Sequence, residues 1–383
     1  MRLLTSITLC LLIQIATAQD TASKASDFYE LRDYLSALPL YEDLVKQNPQ
    51  EPLYHARLAV CLYAQSPKPL DKPQDKTQLE RVVAESKMAV DLGTKEDYAQ
   101  VIANFDLSSM NDEKGEKLAK AIWRSGEPYF GKKQAFKEAL RRYATAAELE
   151  PKIYEPAMFA GDAAQFMGDL PTAAYWYERA TRLEPNFAKA YVRWGDAIAK
   201  IKHDSDGAEA KYAEAIVANP YDPQGWRALQ QWSQATGAVL APPSIKPPNG
   251  GMELFKSLGT GPSDKSSWSI YTIDRFCYET STKQCPIGTF KEDHPAEEKA
   301  RRSLIGESKA LHATALDAVE TAKKRGKPDE SLHDLIEIDK AGMIECWVLI
   351  NGADQAIAGD YLEFSKGHRQ LLHDYINRFI VHH

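Results

Sequence analysis

A proline returns behind the same two-helix pattern at Glu150-Pro151, Glu184-Pro185 and Asn219-Pro220, at intervals of 34 and then 35 residues. A period of this length confines the chain to a stack of supersecondary units, each burying its apolar side against its neighbours. The units align residue by residue. Counting back from Pro185, one reads Ala157-x2-Ala160-Gly161-x2-Ala164 and then Ala173-x3-Tyr177-x2-Ala180. Counting back from Pro220, the next reads Tyr191-x2-Trp194-Gly195-x2-Ile198 and then Ala208-x3-Tyr212-x2-Ala215, with one extra residue in the turn between Lys202 and Gly207. Before them, Trp123 and Phe130 precede Ala139-x3-Tyr143-x2-Ala146.

The residue types have a mechanical reading. Gly161, Gly195, Ala173 and Ala208 are small enough to let two helix backbones approach where they cross, while Tyr177 and Tyr212 fill the remaining space. Proline lacks an N–H and clashes with the preceding turn, so it ends the second helix of each unit and turns the chain into the next. An ordinary helical bundle with chance prolines is the alternative, but three units share both the Ala-x3-Tyr-x2-Ala and the proline positions. The pattern closely resembles the tetratricopeptide repeat (TPR), a helix-turn-helix unit of the form W-x2-L-G-x2-Y, A-x3-F, P. That resemblance implies an all-α solenoid of helical hairpins whose first helices line a concave face.

The array extends beyond the three clear units. Trp226-x2-Leu229, Trp232 and Gly237 predict a fourth first helix or a capping helix that closes the stack. Towards the N-terminus, Ala37-x3-Tyr41 and Asn48-Pro49, followed by Arg57-Leu58-Ala59-x2-Leu62, repeat the punctuation. A proline- and lysine-rich insertion at Ser66 to Lys76 interrupts it, and Leu79 to Leu92 predicts a helix outside the consensus. Residues 24–120 are therefore expected to form divergent hairpins of the same stack, and residues 121–240 the repeats with their cap.

The first 18 residues read as a leader. Met1-Arg2 is positive, Leu3 to Ile15 is apolar, and Ala16-Thr17-Ala18 is an A-x-A cleavage signature. The expectation is export to the periplasm or beyond, with no transmembrane segment in the mature chain, because no other apolar run approaches about 18 residues. Without Arg2 the balance is 46 basic against 54 acidic residues. That argues against nucleic acid as a partner, since phosphate binding needs a concentrated basic face. Four cysteines remain after cleavage. In an oxidising compartment Cys277 and Cys285 are candidates for a disulfide across a short loop, with two unpaired thiols under that loop as the alternative. Cys61 and Cys346 read as small buried hydrophobes.

Between Ala241 and Gly251 the run Ala-Pro-Pro-Ser-Ile-Lys-Pro-Pro-Asn-Gly-Gly favours an extended linker and ends the array. Residues 252–383 then predict a small helical domain. Trp268, Tyr271, Ile273 and Phe276 suit one helix face, Pro295 opens a helix to Lys324, and Gly326-Lys327-Pro328 breaks it. Leu332, Leu335 and Ile338 start another helix, residues 342–350 are nearly all apolar, and Ile357 to Ile380 supply one or two closing helices. Trp268-x2-Tyr271-x3-Arg275, Phe290-x4-Pro295, Arg302-Ser303-Leu304-x2-Glu307 and Gly342-Met343-Ile344-Glu345 with Asp360-Tyr361 resemble the region after the repeats in exported bacterial TPR proteins of unknown function. The resemblance implies an architecture and no chemistry.

Signatures of catalysis are missing. The chain holds no H-E-x-x-H, C-x2-C, G-x-S-x-G or G-x4-G-K motif, so no catalytic residue and no cofactor is expected. His368, His373, His382 and His383 have spacings that do not gather on one helix face, so solvated histidines are expected and no metal. The groove is the better site. Residues between the packing positions of the first helices are Glu155, Met158, Asp162 and Gln165, then Lys189, Val192, Asp196 and Ala199, then Gln224, Arg227 and Gln231. Their mixed charge suits a polar peptide or protein segment rather than a clamped carboxylate; a solvated face without ligand is the alternative. The expected function is an interaction scaffold. Its rival is an enzyme in the C-terminal domain, fed by the repeats, using Trp268, Tyr271, Arg275, Glu307 and Tyr361.

Overall fold

The structure is a computed structural model that describes residues 19–65, 75–111, 117–130, 135–248, 267–280, 303–327 and 329–383. Among these residues every regular element is helical except for one short strand pair. The chain divides into two compact units, residues 1–185 with 196–204 and residues 186–195 with 205–383.

The first unit holds helices α1 (residues 19–30), α2 (Tyr34–Gln47), α3 (Pro52–Ala64), α4 (Lys76–Asp91), α5 (Asp97–Ala103), α6 (Leu118–Phe130), α7 (Phe136–Leu149), α8 (Tyr154–Met167) and α9 (Leu170–Leu183). The proline rule is visible in the backbone. Asn48, Glu150 and Glu184, each immediately before a proline, leave the helical region at φ/ψ of −133/72°, −120/74° and −133/83°. The clash with proline Cδ excludes the helical conformation at these positions, so α2, α7 and α9 end in the same way. The N-terminal Asn48-Pro49 thus punctuates the chain as the clear repeats do.

Hairpins cross where glycine meets tyrosine. A Cβ at Gly161 of α8 would stand 2.7 Å from Tyr177 Cε1 of α9, closer than any side chain tolerates. Tyr177 is fully buried there, and removing a ring of that size from water is worth roughly 2–3 kcal/mol. The same contact joins Gly126 of α6 to Tyr143 of α7 at 2.9 Å. Gly126 lies outside the consensus alignment, which is anchored on Trp123 and Phe130.

The expectation that each hairpin touches only the next one fails in the first unit. Tyr63 of α3 donates to Glu150 Oε1 at 3.1 Å, and Arg141 of α7 reaches Asp97 and Gln100 of α5 at 2.9 Å each. Arg32 and Tyr34 bind Glu148, more than a hundred residues away. One continuous core runs from Ala25 to Leu149.

Helix α10 (Ala188–Ala197) comes next in the chain, continued by a π-helical turn, Ile198–Lys202, that ends at His203 with φ 56°. The second unit then contains α11 (Ser205–Ala218) and α12 (Pro223–Thr236), followed by β1 (Val239–Leu240), α13 (Trp268–Thr280), α14 (Leu304–Arg325), α15 (His333–Lys340), α16 (Tyr361–Phe379) and β2 (Val381–His382). A Cβ at Gly195 would lie 2.6 Å from Tyr212 Cε1, which repeats the crossing contact. Gly326 takes the left-handed conformation that stops α14, as the Gly-Lys-Pro break anticipates. Helix α16 is kinked at His368, which has φ −129° and ψ 22°.

Two features of this unit depart from expectation. The proline segment is held rather than free: Ala241 N–H donates to Ile380 O at 2.9 Å, Ser244 N–H to Asp334 Oδ2 at 2.8 Å, and Ile245 is buried. The C-terminal helices are also bound to the last hairpin. Tyr361 donates to the carbonyl of Val217, Tyr221 donates to Leu349 O at 2.9 Å, and Arg369 meets Glu214 at 3.2 Å. An antiparallel pairing of β1 with β2 adds a small strand element to a chain expected to be wholly helical.

Candidate functional site

The repeats divide labour between residues that pack and residues that face outward. Glycine, alanine and tyrosine positions are consumed at the crossings, so display falls to the side chains between them. Gln224, Arg227 and Gln231 lie along α12 at spacings of three and four that put them on one stripe, with Gln224 and Gln231 exposed. Gly225 binds that helix to α11, since a Cβ there would meet Ile216 N at 3.1 Å. Asp222 caps its start, accepting from Gln224 N–H at 2.9 Å.

The other groove residues are less accessible than expected. Glu155 and Gln165 of α8, Lys189 and Val192 of α10, and Ala199 are half-buried. Val192 packs beside Ala188, Tyr191, Ala215 and Ala218. Asp196 is half-buried and pairs with Lys200 one turn on, at 3.4 Å.

Asp162 and Met158 require a correction, because they are only 4% and 3% exposed and present little surface to a ligand. The reason lies in the crossing. Tyr177 slots against Gly161, so its hydroxyl arrives beside the next residue and donates to Asp162 Oδ1 at 2.7 Å, with Gln165 Oε1 at 2.8 Å. The carboxylate satisfies a buried phenol that would otherwise lose its hydrogen bond. The 15-residue separation of this pair follows from the hairpin, and periodicity alone does not mark it.

The structure assembles a second polar constellation that the sequence does not announce. At the junction of α1, α2, α5, α7 and α9, Glu148 receives Tyr34 Oη at 2.8 Å and the Arg32 guanidinium, with Arg179 Nη1 at 3.9 Å. Arg179 also donates to Ala147 O at 2.5 Å and lies over the Trp176 ring at 5.3 Å. Burial and the neighbouring Arg32 push the proton affinity of Arg179 below its ordinary value. Desolvation and the Glu148 charge raise that of Tyr34. No single-sequence signal links residue 32 to residue 148.

In the C-terminal helices, Tyr271 donates to Glu307 Oε1 at 2.5 Å, Arg275 donates to the Tyr271 oxygen at 3.0 Å, and Trp268 stands edge-on to Tyr271 at 5.8 Å. Four of the five residues named for a pocket are therefore neighbours. Tyr361 belongs elsewhere, against Val217. Asp274, 2% exposed, sits one turn from Tyr271, and burial pushes its carboxyl up to about 6. Cys61 and Cys346 are buried free thiols, both pushed up to about 12 by desolvation. The Cys277–Cys285 pairing lies outside the described side chains. His368 is exposed and stacks on Phe364, and His383 reaches Glu209 at 3.5 Å. Among the described residues no three His, Cys, Asp or Glu side chains form a metal-ligand set, and no helix is long and apolar enough to cross a membrane.

No known protein family matches the chain, and no curated protein does. Among solved structures it is similar to the first TPR of Spaghetti (RPAP3) bound to HSP90 peptide SRMEEVD, at 21% identity over 31% of this chain and 93% of that one, with a TM-score of 0.28. It is similar to a thermophilic TPR protein of Thermus thermophilus, at 18% identity over 57% and 98%, with a TM-score of 0.25. It is also similar to the P58(IPK) TPR domain, at 10% identity over 94% and 99%, with a TM-score of 0.26. Likeness at this level carries no argument about ligand or activity. The TPR architecture of this chain rests on its own glycine–tyrosine crossings and pre-proline helix ends.

Proposed function

We propose that the protein is an exported scaffold that binds a protein or peptide segment along the first helices of its repeats and performs no catalysis of its own. The observation that carries this reading is the division of labour in the hairpins. Small and aromatic residues hold the crossings, leaving polar side chains outside the core: Glu155 and Gln165 in the first unit, Lys189, Gln224, Arg227 and Gln231 in the second. Such side chains orient a polar segment through many modest contacts and include neither the nucleophile nor the general base that bond-breaking needs. Export is inferred from the Ala16-Thr17-Ala18 signature and is tested by N-terminal sequencing of the mature chain, which should begin at Gln19.

The binding reading is tested with a photocrosslinking residue placed in the full chain, in the cells that make it, at Gln231 or Arg227, with Lys323 of α14 as a control. One discrete adduct from both α12 positions and none from Lys323 is the expected result. No adduct, or the same adducts from all three positions, would overturn the assignment.

A second reading has one observation in its favour, the gathering of Tyr271, Arg275, Glu307 and the buried Asp274 on α13 and α14. An acid with a pKa near 6 beside a hydrogen-bonded carboxylate is equipment for proton transfer. We rank it second because Glu307 and Tyr271 already satisfy each other.

A further inference from the structure

The junction around Glu148 has more donors than acceptors. Arg179 Nη1, Tyr29 Oη and Tyr98 Oη are all buried without a well-formed hydrogen bond, and a buried donor left unmatched costs about 1–3 kcal/mol. The three belong to one neighbourhood. The Tyr29 and Tyr34 rings are 5.1 Å apart, Tyr34 binds Glu148, and Arg179 Nη1 is 3.9 Å from the same carboxylate. The Tyr29 and Tyr98 hydroxyls are close enough to interact, and both sense Glu148. Each phenol carries a single proton, so a bond from one to the other still leaves the acceptor's proton without a place to go.

The charges point the same way. Two guanidinium groups, Arg32 and Arg179, share the single carboxylate of Glu148. Arg57 is matched by Glu30 at 3.0 Å, and the nearby Glu96 has its carboxyl raised by burial, which favours its neutral form. Arg179 is fixed by Ala147 O and Trp176, so its remaining edge is oriented in advance. Arg32 is held at φ 62°, a left-handed conformation that disfavours any side chain by roughly 1 kcal/mol, and from there its guanidinium reaches Glu148. With its side chain 32% exposed, it is the part of the junction open to water.

We propose that this junction is a binding site for a small oxyanion, a carboxylate or a phosphate, seated against Arg179 and Arg32 with the Tyr29 and Tyr98 hydroxyls as further donors. An oxyanion supplies the several acceptor lone pairs that the orphan donors lack and balances the second guanidinium, and pairs of this kind are the strong charge-assisted type. The site is independent of the α12 stripe and stands or falls separately from the scaffold reading.

The test uses the purified full chain with inorganic phosphate and acetate as probes and sodium chloride at matched ionic strength as the control. The readouts are thermal unfolding and calorimetric titration. A saturable rise in unfolding midpoint with either probe, at least tenfold more potent than chloride, is the expected result, since a ligand that binds only the folded state stabilises it by mass action. If acetate saturates first the site takes a carboxylate; if phosphate does, a phosphate. Arg179→Gln should weaken binding about tenfold. Tyr98→Phe, which removes one orphan donor and no charge, should weaken it about threefold while the anion-free midpoint stays the same or rises. If neither probe exceeds chloride, water fills the junction and the proposal is wrong. Binding unchanged in both variants would place the anion elsewhere and overturn it equally.

Discussion

In hairpin α8–α9 the crossing glycine and its tyrosine, Gly161 and Tyr177, are 16 residues apart, and Gly168 ends the first helix in the left-handed conformation. In hairpin α10–α11 the equivalent pair, Gly195 and Tyr212, is 17 apart, and the surplus residue is taken up in the π-helical turn Ile198–Lys202 before His203. Both pairs end in the same ring-against-glycine contact, at 2.7 and 2.6 Å for the Cβ that is not there. The crossing is thus the constant element of the repeat and the connection is adjustable. A widened turn absorbs one inserted residue without moving the side chains that define the fold.

The sharpest way to break this equivalence is to remove the rings. Tyr177→Ala deletes a fully buried side chain and leaves Asp162 without its donor, so it should cost about 4 kcal/mol, read as a shift in denaturant midpoint. Tyr212→Ala should fall within about 1 kcal/mol of that value if the two crossings are alike. A cost of less than half would show that α10–α11 depends on other contacts. Adding the missing methyl is the next test. Gly161→Ala and Gly195→Ala should each destabilise by about 1–3 kcal/mol through overpacking, after a helix-propensity gain of about 1 kcal/mol is offset. Gly126→Ala should cost least of the three, because its Cβ would lie farthest from the ring, at 2.9 Å.

The same comparison explains which parts of the molecule are legible in the sequence. Gly161, Gly195, Tyr177, Tyr212 and the prolines act within one hairpin, so a local period exposes them, and the extra residue between Lys202 and Gly207 is visible as a broken spacing. Gly126 is equally readable, since it stands 17 residues before Tyr143 as Gly195 does before Tyr212. An alignment anchored on Trp123 passes over it. Asp162 looks like groove because its position projects from the first helix, and only the Tyr177 hydroxyl shows it to be interior. Glu148 and Arg32, separated by 116 residues, lie beyond any periodic argument. The hold of Asp334 on Ser244 likewise turns an apparent spacer into a bound segment.

The connections supply the smaller effects. Gly168 has φ 78° and open space around the site of its absent Cβ, so Gly168→Ala isolates backbone strain from packing and should cost about 1 kcal/mol. His203 presents the inverse case, a β-carbon in the same left-handed region at φ 56°. Replacing it with glycine removes the steric penalty of roughly 1 kcal/mol but frees the unfolded chain, which returns part of that gain. The net expectation for His203→Gly is a stabilisation of about 0.5 kcal/mol, measured as a small rise in denaturant midpoint with an unchanged slope. A loss of stability would mean that the imidazole itself holds the widened turn. The connection would then be a specified part of the α10–α11 repeat and no longer an accommodation of one surplus residue.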